Sequence, residues 1–311
     1  MTEILLSVFF ISVLLLFLST GVWVALSMIG VSTIAMTLFT SRPVGDAMAT
    51  TIWGTSSSWT LTALPLFVWM GEILFRTKLS ENLFEGLSPW MQKLPGGLIH
   101  VNVVGCALFA AISGSSAATV ATVGKMSIPE LRKRKYPEKI LLGSLAGSGT
   151  LGLLIPPSII LIIYGVAVQE SIAKLFIAGI IPGIMIALIF MSYVIIWSLI
   201  NKKYMPKIIE EYSFLEKVKR SKQLLPVIIL ISAVIGSIYT GIATATEAAS
   251  LGVVGALILS YFQKSLNLET FKQSLLGATK TSCMIAFILA GSSFLSLAMG
   301  FTGLPRNLAV W

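Results

Sequence analysis

The chain has 311 residues, 56% of them hydrophobic and 11% charged, and a mean hydropathy of +0.91. That balance excludes a soluble globular domain and reads as an all-α, polytopic membrane protein. The net charge of +9 would point to nucleic acid in a soluble chain, but 19 of the 22 Lys/Arg fall in segments assigned below to one membrane face, the pattern of cytoplasmic loops, so no nucleic acid is implied.

Met1-Thr2-Glu3 has no basic n-region and no cleavage site follows the first apolar run, which is therefore a retained span and not a signal peptide. Ile4 to Phe39 is apolar except at Ser19-Thr20-Gly21, predicting two helices joined by a short turn. Residues 40–60, with Arg42-Pro43, Gly45-Asp46 and a Ser/Thr-rich run, read as a loop, and Leu61 to Phe75 as a third span. Arg76, Lys78 and Lys93 bracket residues 79–92, where Leu79, Leu83, Phe84 and Leu87 share one face, the spacing of a helix lying on the membrane surface.

Residues 96–131 come next. Gly97 to Ile112 are apolar apart from His100 and Asn102, Ser113-Gly114-Ser115-Ser116 follows, and both flanks are basic, with Lys93 before and Lys125 and Arg132-Lys133-Arg134-Lys135 after. Basic flanks on both sides put both ends in the cytoplasm. Two full crossings need about 40 apolar residues at ~20 per span, more than the segment holds. It reads instead as a re-entrant helical hairpin whose Gly/Ser tip lies at membrane depth, where non-helical backbone must be buried in protein or line a watery cavity.

Residues 140–168 as one helix would measure about 43 Å at 1.5 Å per residue, too long for a ~30 Å hydrocarbon core. The stretch carries Gly147-Ser148-Gly149-Thr150-Leu151-Gly152 and then Pro156-Pro157; proline lacks a donor and clashes with the preceding turn, so the span should break near its middle. Residues 171–200 are a span kinked at Pro182-Gly183, and 201–223 a charged cytoplasmic connector. Leu224 to Tyr239, Ala243 to Phe262 and Gly277 to Met299 complete the spans.

Segments 76–96, 125–139, 201–223 and 263–280 then share the cytoplasmic face, and counting crossings back from Arg76 puts the N-terminus outside. An internal repeat is also legible. Thr20-Gly21-Val22 with its following helix matches Thr240-Gly241-Ile242, and Thr77 to Leu83 matches Thr302 to Leu308 a similar distance on, with opposite sidedness. Residues 1–223 therefore read as a first inverted repeat and 224–311 as the start of a second, truncated where the first enters its hairpin. Inverted repeats are a transporter's architecture, with the binding site at their interface.

Four chemistries can be weighed. A hairpin tip and a broken helix present free carbonyls and free N–H groups at membrane depth; hydroxyls and carbonyls suit a hard cation such as Na⁺, and N–H ends suit a carboxylate. Neither break carries a carboxylate, which favours Na⁺ over H⁺ as coupling ion. The glycines of 147–152 fit G-x-G-x-x-G, but a dinucleotide fingerprint needs a strand before it. Ser113, Ser115 or Ser116 with His100, the only histidine, lacks both a nucleophile elbow and a third group, so no enzyme is indicated. Glu72 and Glu247 fall near helix ends, where a structural role outweighs a proton relay. Cys106 and Cys283 lie in apolar runs with neither disulfide nor metal spacing.

Several stretches together resemble the large membrane (M) subunit of TRAP transporters, the tripartite ATP-independent periplasmic family. They are Leu94-Pro95-Gly96-Gly97-Leu98, Ile112 to Ala117, Pro129 with Tyr136-Pro137, Gly149 to Ser158, Ile180 to Gly183 and Thr244 to Ala249. The resemblance implies an elevator-type secondary transporter of the bacterial inner membrane. It also implies a small four-helix Q subunit, a periplasmic substrate-binding protein, and Na⁺-driven import of an organic acid such as a C4-dicarboxylate or sialic acid. Carried onto this sequence, an Na⁺ site would lie between the tip residues Ser113, Gly114, Ser115 and Ser116 and the break residues Gly149, Gly152, Ile155, Pro156 and Pro157. The family's second hairpin and second Na⁺ site are expected beyond Trp311.

Overall fold

The computed structural model describes residues 2–77, 79–206, 212–303 and 305, without the side chains of 2–4 and 79–81. The described elements are all helical. The second half of the Thr302–Leu308 repeat match and residues 207–211 of the connector lie outside them, as does the side chain of Leu79. Four described stretches are long and apolar enough to cross a membrane: Ile172–Ile200, Phe214–Tyr239, Ala245–Phe262 and Leu268–Phe301.

The chain forms two compact units, residues 1–61 with 280–311, and residues 62–279. The first holds α1 (Thr2–Ser19), α2 (Val24–Phe39), α3 (Val44–Ser56) and, from Lys280 onward, α14 (Leu268–Phe301). Val31 and Ala35 of α2 pack on Phe10, and Met36 packs on Phe294 and Ala298. A side chain at Gly291 would come within 2.8 Å of the Ala25 carbonyl, the close approach that small residues permit between membrane helices. Helix α3 corrects the sequence reading of 40–60 as a loop. It buries no side chain, so no apolar face marks it, and Thr50, Thr51 and Thr55 turn their hydroxyls back onto carbonyls of the preceding turn.

The second unit holds α4 (Ala63–Phe75), α5 (Leu79–Met91), α6 (Ile99–Ser113), α7 (Ser116–Lys133), α8 (Glu138–Gly149), α9 (Ile159–Val168), α10 (Ile172–Ile200), α11 (Phe214–Ser221), α12 (Leu225–Tyr239), α13 (Ala245–Phe262) and the start of α14. Helices α4 and α13 lie against each other, with Gly252 leaving room for the Met70 thioether. Glu247 closes a capping box with Thr244 at the start of α13, and Glu72 pairs with Arg76 at 3.2 Å, so both carboxylates have structural partners. The apolar face of α5 turns inward: Leu83, Phe84 and Leu87 are buried, and α5 packs on α6, α7 and α11. Trp90 donates to the Ser221 hydroxyl at 2.7 Å, fastening the connector helix to α5.

Two internal turns look alike. Gly21 and Gly241 both adopt positive φ (80° and 72°), each following a threonine whose hydroxyl bonds back to a carbonyl of its own helix end. A left-handed residue after the last turn is the common glycine ending of a helix.

Candidate functional site at the hairpin tip

Helices α6 and α7 form the expected hairpin. At 1.5 Å per residue its arms measure about 22 and 27 Å, short of a ~30 Å core. Gly114 makes the tip with φ of 58°, a conformation that costs a residue with a Cβ about 1–2 kcal/mol. The Ser115 hydroxyl then caps α7 by accepting from the Ala118 N–H at 3.4 Å.

The break falls where the glycines and prolines place it. Helix α8 ends at Gly149, a 3-10 turn covers Thr150–Leu153, and α9 restarts at Ile159. Pro156, Pro157 and Ser158 are buried, and the Ser158 hydroxyl donates to the Leu153 carbonyl at 2.7 Å, tying the two sides of the break together.

Tip and break meet backbone to backbone. The Ile159 N–H donates to the Gly114 carbonyl at 3.3 Å. A Cβ on Gly114 would stand 2.8 Å from the Pro157 carbonyl, and one on Gly152 would stand 3.0 Å from the Ser116 nitrogen. Gly149 lies under Val120 of α7, with the Ser116 carbonyl beyond. The structure thus brings Ser113, Gly114, Ser115, Ser116, Gly149, Gly152 and Pro157 into one place. Ile155 packs on the cluster of Val103 and Ala110 of α6 with Leu151, and fills the space left by Gly183 of α10. Pro156 is buried in the same turn.

The serines divide by role. The Ser113 hydroxyl lies 2.9 Å from that of Thr119 and also bonds the Ser115 backbone, while Ser115 is spent on its cap. Only the Ser116 hydroxyl, buried, has no hydrogen-bond partner among the described residues at this tip. A buried oxygen without a partner is costly unless something else occupies it. Two helix C-termini (α6 and the 3-10 turn) and two N-termini (α7 and α9) converge here, so negative and positive dipole ends lie side by side. Hydroxyl and carbonyl oxygens are a donor set for a hard cation such as Na⁺, and the N–H ends can meet an acid group.

Three glycines support the site, and of them the sequence reading named only Gly183, as part of a kink. Gly71 of α4 backs the tip, its Cβ position 3.0 Å from the Ser113 Cα. Gly179 and Gly183 of α10 seat the break, within 2.6 Å of the Leu154 carbonyl and 2.9 Å of Ile155. Pro182 and Gly183, where a kink was expected, lie inside α10, which is one continuous helix from Ile172 to Ile200. A small-residue stripe on an apolar helix was the one available signal. His100 bonds the Pro95 carbonyl at the far end of α6, about 20 Å from Ser113 along the helix, which removes the serine-hydrolase geometry. The Leu94–Leu98 and Tyr136-Pro137 stretches meet there too, Leu98 donating its N–H to the Tyr136 hydroxyl at 3.0 Å.

An all-helical membrane protein with a hairpin tip seated in a broken helix is the class that fold and site define. The chain belongs to the DctM-component family of tripartite ATP-independent periplasmic transporters, whose model matches residues 11–311. It is 33% identical over 267 residues to the C4-dicarboxylate TRAP transporter large permease protein DctM of Pseudomonas aeruginosa, covering 85% of this chain and 62% of that protein. It is 32% identical over 295 residues to the sialic acid TRAP transporter large permease protein SiaM of Vibrio cholerae, covering 94% and 68%. The isethionate TRAP transporter permease protein DctMQ of Oleidesulfovibrio alaskensis is 31% identical over 297 residues, covering 94% of this chain and 46% of that protein. The chain thus spans less than two thirds of the length of the Pseudomonas relative.

Proposed function

We propose that this chain supplies the first hairpin and first broken helix of a permease that imports a small organic acid together with Na⁺. In this reading it works in the bacterial inner membrane with a small four-helix Q subunit and a periplasmic substrate-binding protein, its N-terminus facing the periplasm. The observation that carries it is the buried Ser116 hydroxyl, without a partner among the described residues, where the tip meets the break. The relatives' names support the solute class: dicarboxylate, sialic acid and isethionate are all organic anions, with an acid group suited to helix N-terminal N–H groups. An elevator movement is supported by the backbone-close seating of tip, break and α10, which lets them travel as one block. Residues 224–311 are then the start of the second inverted repeat.

A channel or non-transporting scaffold is the competing reading, and neither needs a binding protein or a gradient. Solute uptake by the complete assembly should rise with an inward Na⁺ gradient and require the periplasmic partner. Uptake indifferent to both would favour the competitor. For orientation, a cysteine introduced in 212–223 should be shielded from impermeant thiol reagents applied outside, and one in 44–56 should react. The reverse labelling would refute the assigned sidedness.

A further inference from the structure

The basic end of the hairpin carries a second cleft, remote from the tip. It has a volume of about 480 Å³ and is walled by the 92–98 turn, the α7–α8 loop and the end of α10. Lys93 and Lys202 line it, both exposed and neither in an ion pair among the described residues, together with Arg134, which is partnered by Glu130 at 3.7 Å. None of the described lining residues is acidic.

Two uncharged donors share the wall. Gln92 is only 5% exposed, and its amide nitrogen has no acceptor among the described residues. The Tyr136 hydroxyl accepts from the Leu98 N–H, and its own proton has no acceptor there. Burial pushes the Tyr136 phenol up, against the opposing pull of the Leu98 bond, so it remains a donor at neutral pH. Beside these donors the outer face of α10 is bare and apolar, with Ile196 58% and Ile200 77% exposed. Donors and lysines beside bare hydrocarbon match an amphiphile with an anionic head.

We infer that this cleft binds the phosphate headgroup of an anionic phospholipid, with Gln92, Tyr136, Lys93 and Lys202 on the phosphate and an acyl chain along α10. A buried donor lacking an acceptor is the feature that free surface lysines would not explain. Basic pockets at the cytoplasmic ends of membrane helices hold anionic headgroups in this way. The site lies on the hairpin's base, so occupancy would tie hairpin and α10 together without touching the tip.

The test uses the full chain in detergent, with retained lipid measured by native mass spectrometry after titration with phosphatidylglycerol or phosphatidylcholine. Phosphatidylglycerol should be retained in preference. Lys93→Ala and Lys202→Ala should each weaken it about fivefold, equivalent to ~1 kcal/mol per basic residue. Gln92→Leu, close in size, should weaken it about tenfold or more, the value of a hydrogen bond to a charge. Lys203→Ala, one residue beyond the lining, should leave it unchanged. Equal retention of both lipids, or an equal loss in Lys203→Ala, would reduce the effect to general surface charge and overturn the site. Full displacement by millimolar inorganic phosphate would make it a free-phosphate site and overturn the lipid assignment.

Discussion

Gly152→Val is expected to abolish uptake at any Na⁺ concentration while leaving insertion in the membrane intact. A Cβ at this position already stands 3.0 Å from the Ser116 nitrogen and 3.1 Å from the Ser115 carbonyl carbon. Both belong to backbone held by α6 and α7, so neither can swing aside as a flexible side chain would. Valine adds two further methyl groups, and overpacking of this kind costs about 1–3 kcal/mol or more. The hairpin tip can relieve it only by lifting from the break, which separates the oxygens proposed to hold the ion. Gly143→Val in α8 makes the same substitution where nothing lies within 4 Å of the added carbon, and should transport normally. Uptake alongside the quantity of membrane-inserted protein checks both; wild-type uptake by Gly152→Val would refute the close seating.

Ser116→Ala should behave differently. It removes one buried oxygen and leaves tip and break seated, because alanine suits small-residue interfaces. Losing a single contact to a charge is worth roughly 1.5–3 kcal/mol, about 10-fold to 150-fold in Na⁺ affinity. The half-maximal Na⁺ concentration for uptake should rise by that factor, with the rate at saturating Na⁺ nearly preserved. Ser115→Ala should instead weaken the start of α7, by about 1 kcal/mol for a lost cap, with little change in Na⁺ dependence. A Na⁺ dependence in Ser116→Ala identical to wild type would make its hydroxyl a packing feature.

The features read best from sequence were those where backbone chemistry leaves no choice. Gly114 between serines and Pro156-Pro157 inside an apolar run each disfavour a continuous helix, and the structure breaks at both. The proline at 182 obeys the same rule in sequence yet sits inside the continuous helix α10. Helix α3 was missed because a helix that buries nothing shows no 3.6-residue apolar period. Leu83, Phe84 and Leu87 were correctly placed on one face, but periodicity cannot say whether that face meets lipid or protein; it meets protein. Within the site the four tip residues looked equivalent. Only their partners separate Ser113 and Ser115, which hold the turn, from Ser116, which is left free among the described residues. Gly71 and Gly179 escaped notice, and Gly183 was read as part of a kink and not as a packing position, because packing glycines lie in spans full of other small residues.

The most direct test asks whether Na⁺ closes the tip onto the break. Ala117 is exposed at the tip beside Ser116, Cys106 is buried, and Cys283 is exposed. With Cys283 replaced by serine and Ala117 by cysteine, the thiol labelling rate would be measured in the intact complex, in Na⁺ and in K⁺ at equal ionic strength. Labelling should slow as Na⁺ rises but not as K⁺ rises, and adding Ser116→Ala should shift the Na⁺ needed by at least about tenfold. Equal labelling in the two cations, with and without Ser116→Ala, would contradict an Na⁺ site at the hairpin tip.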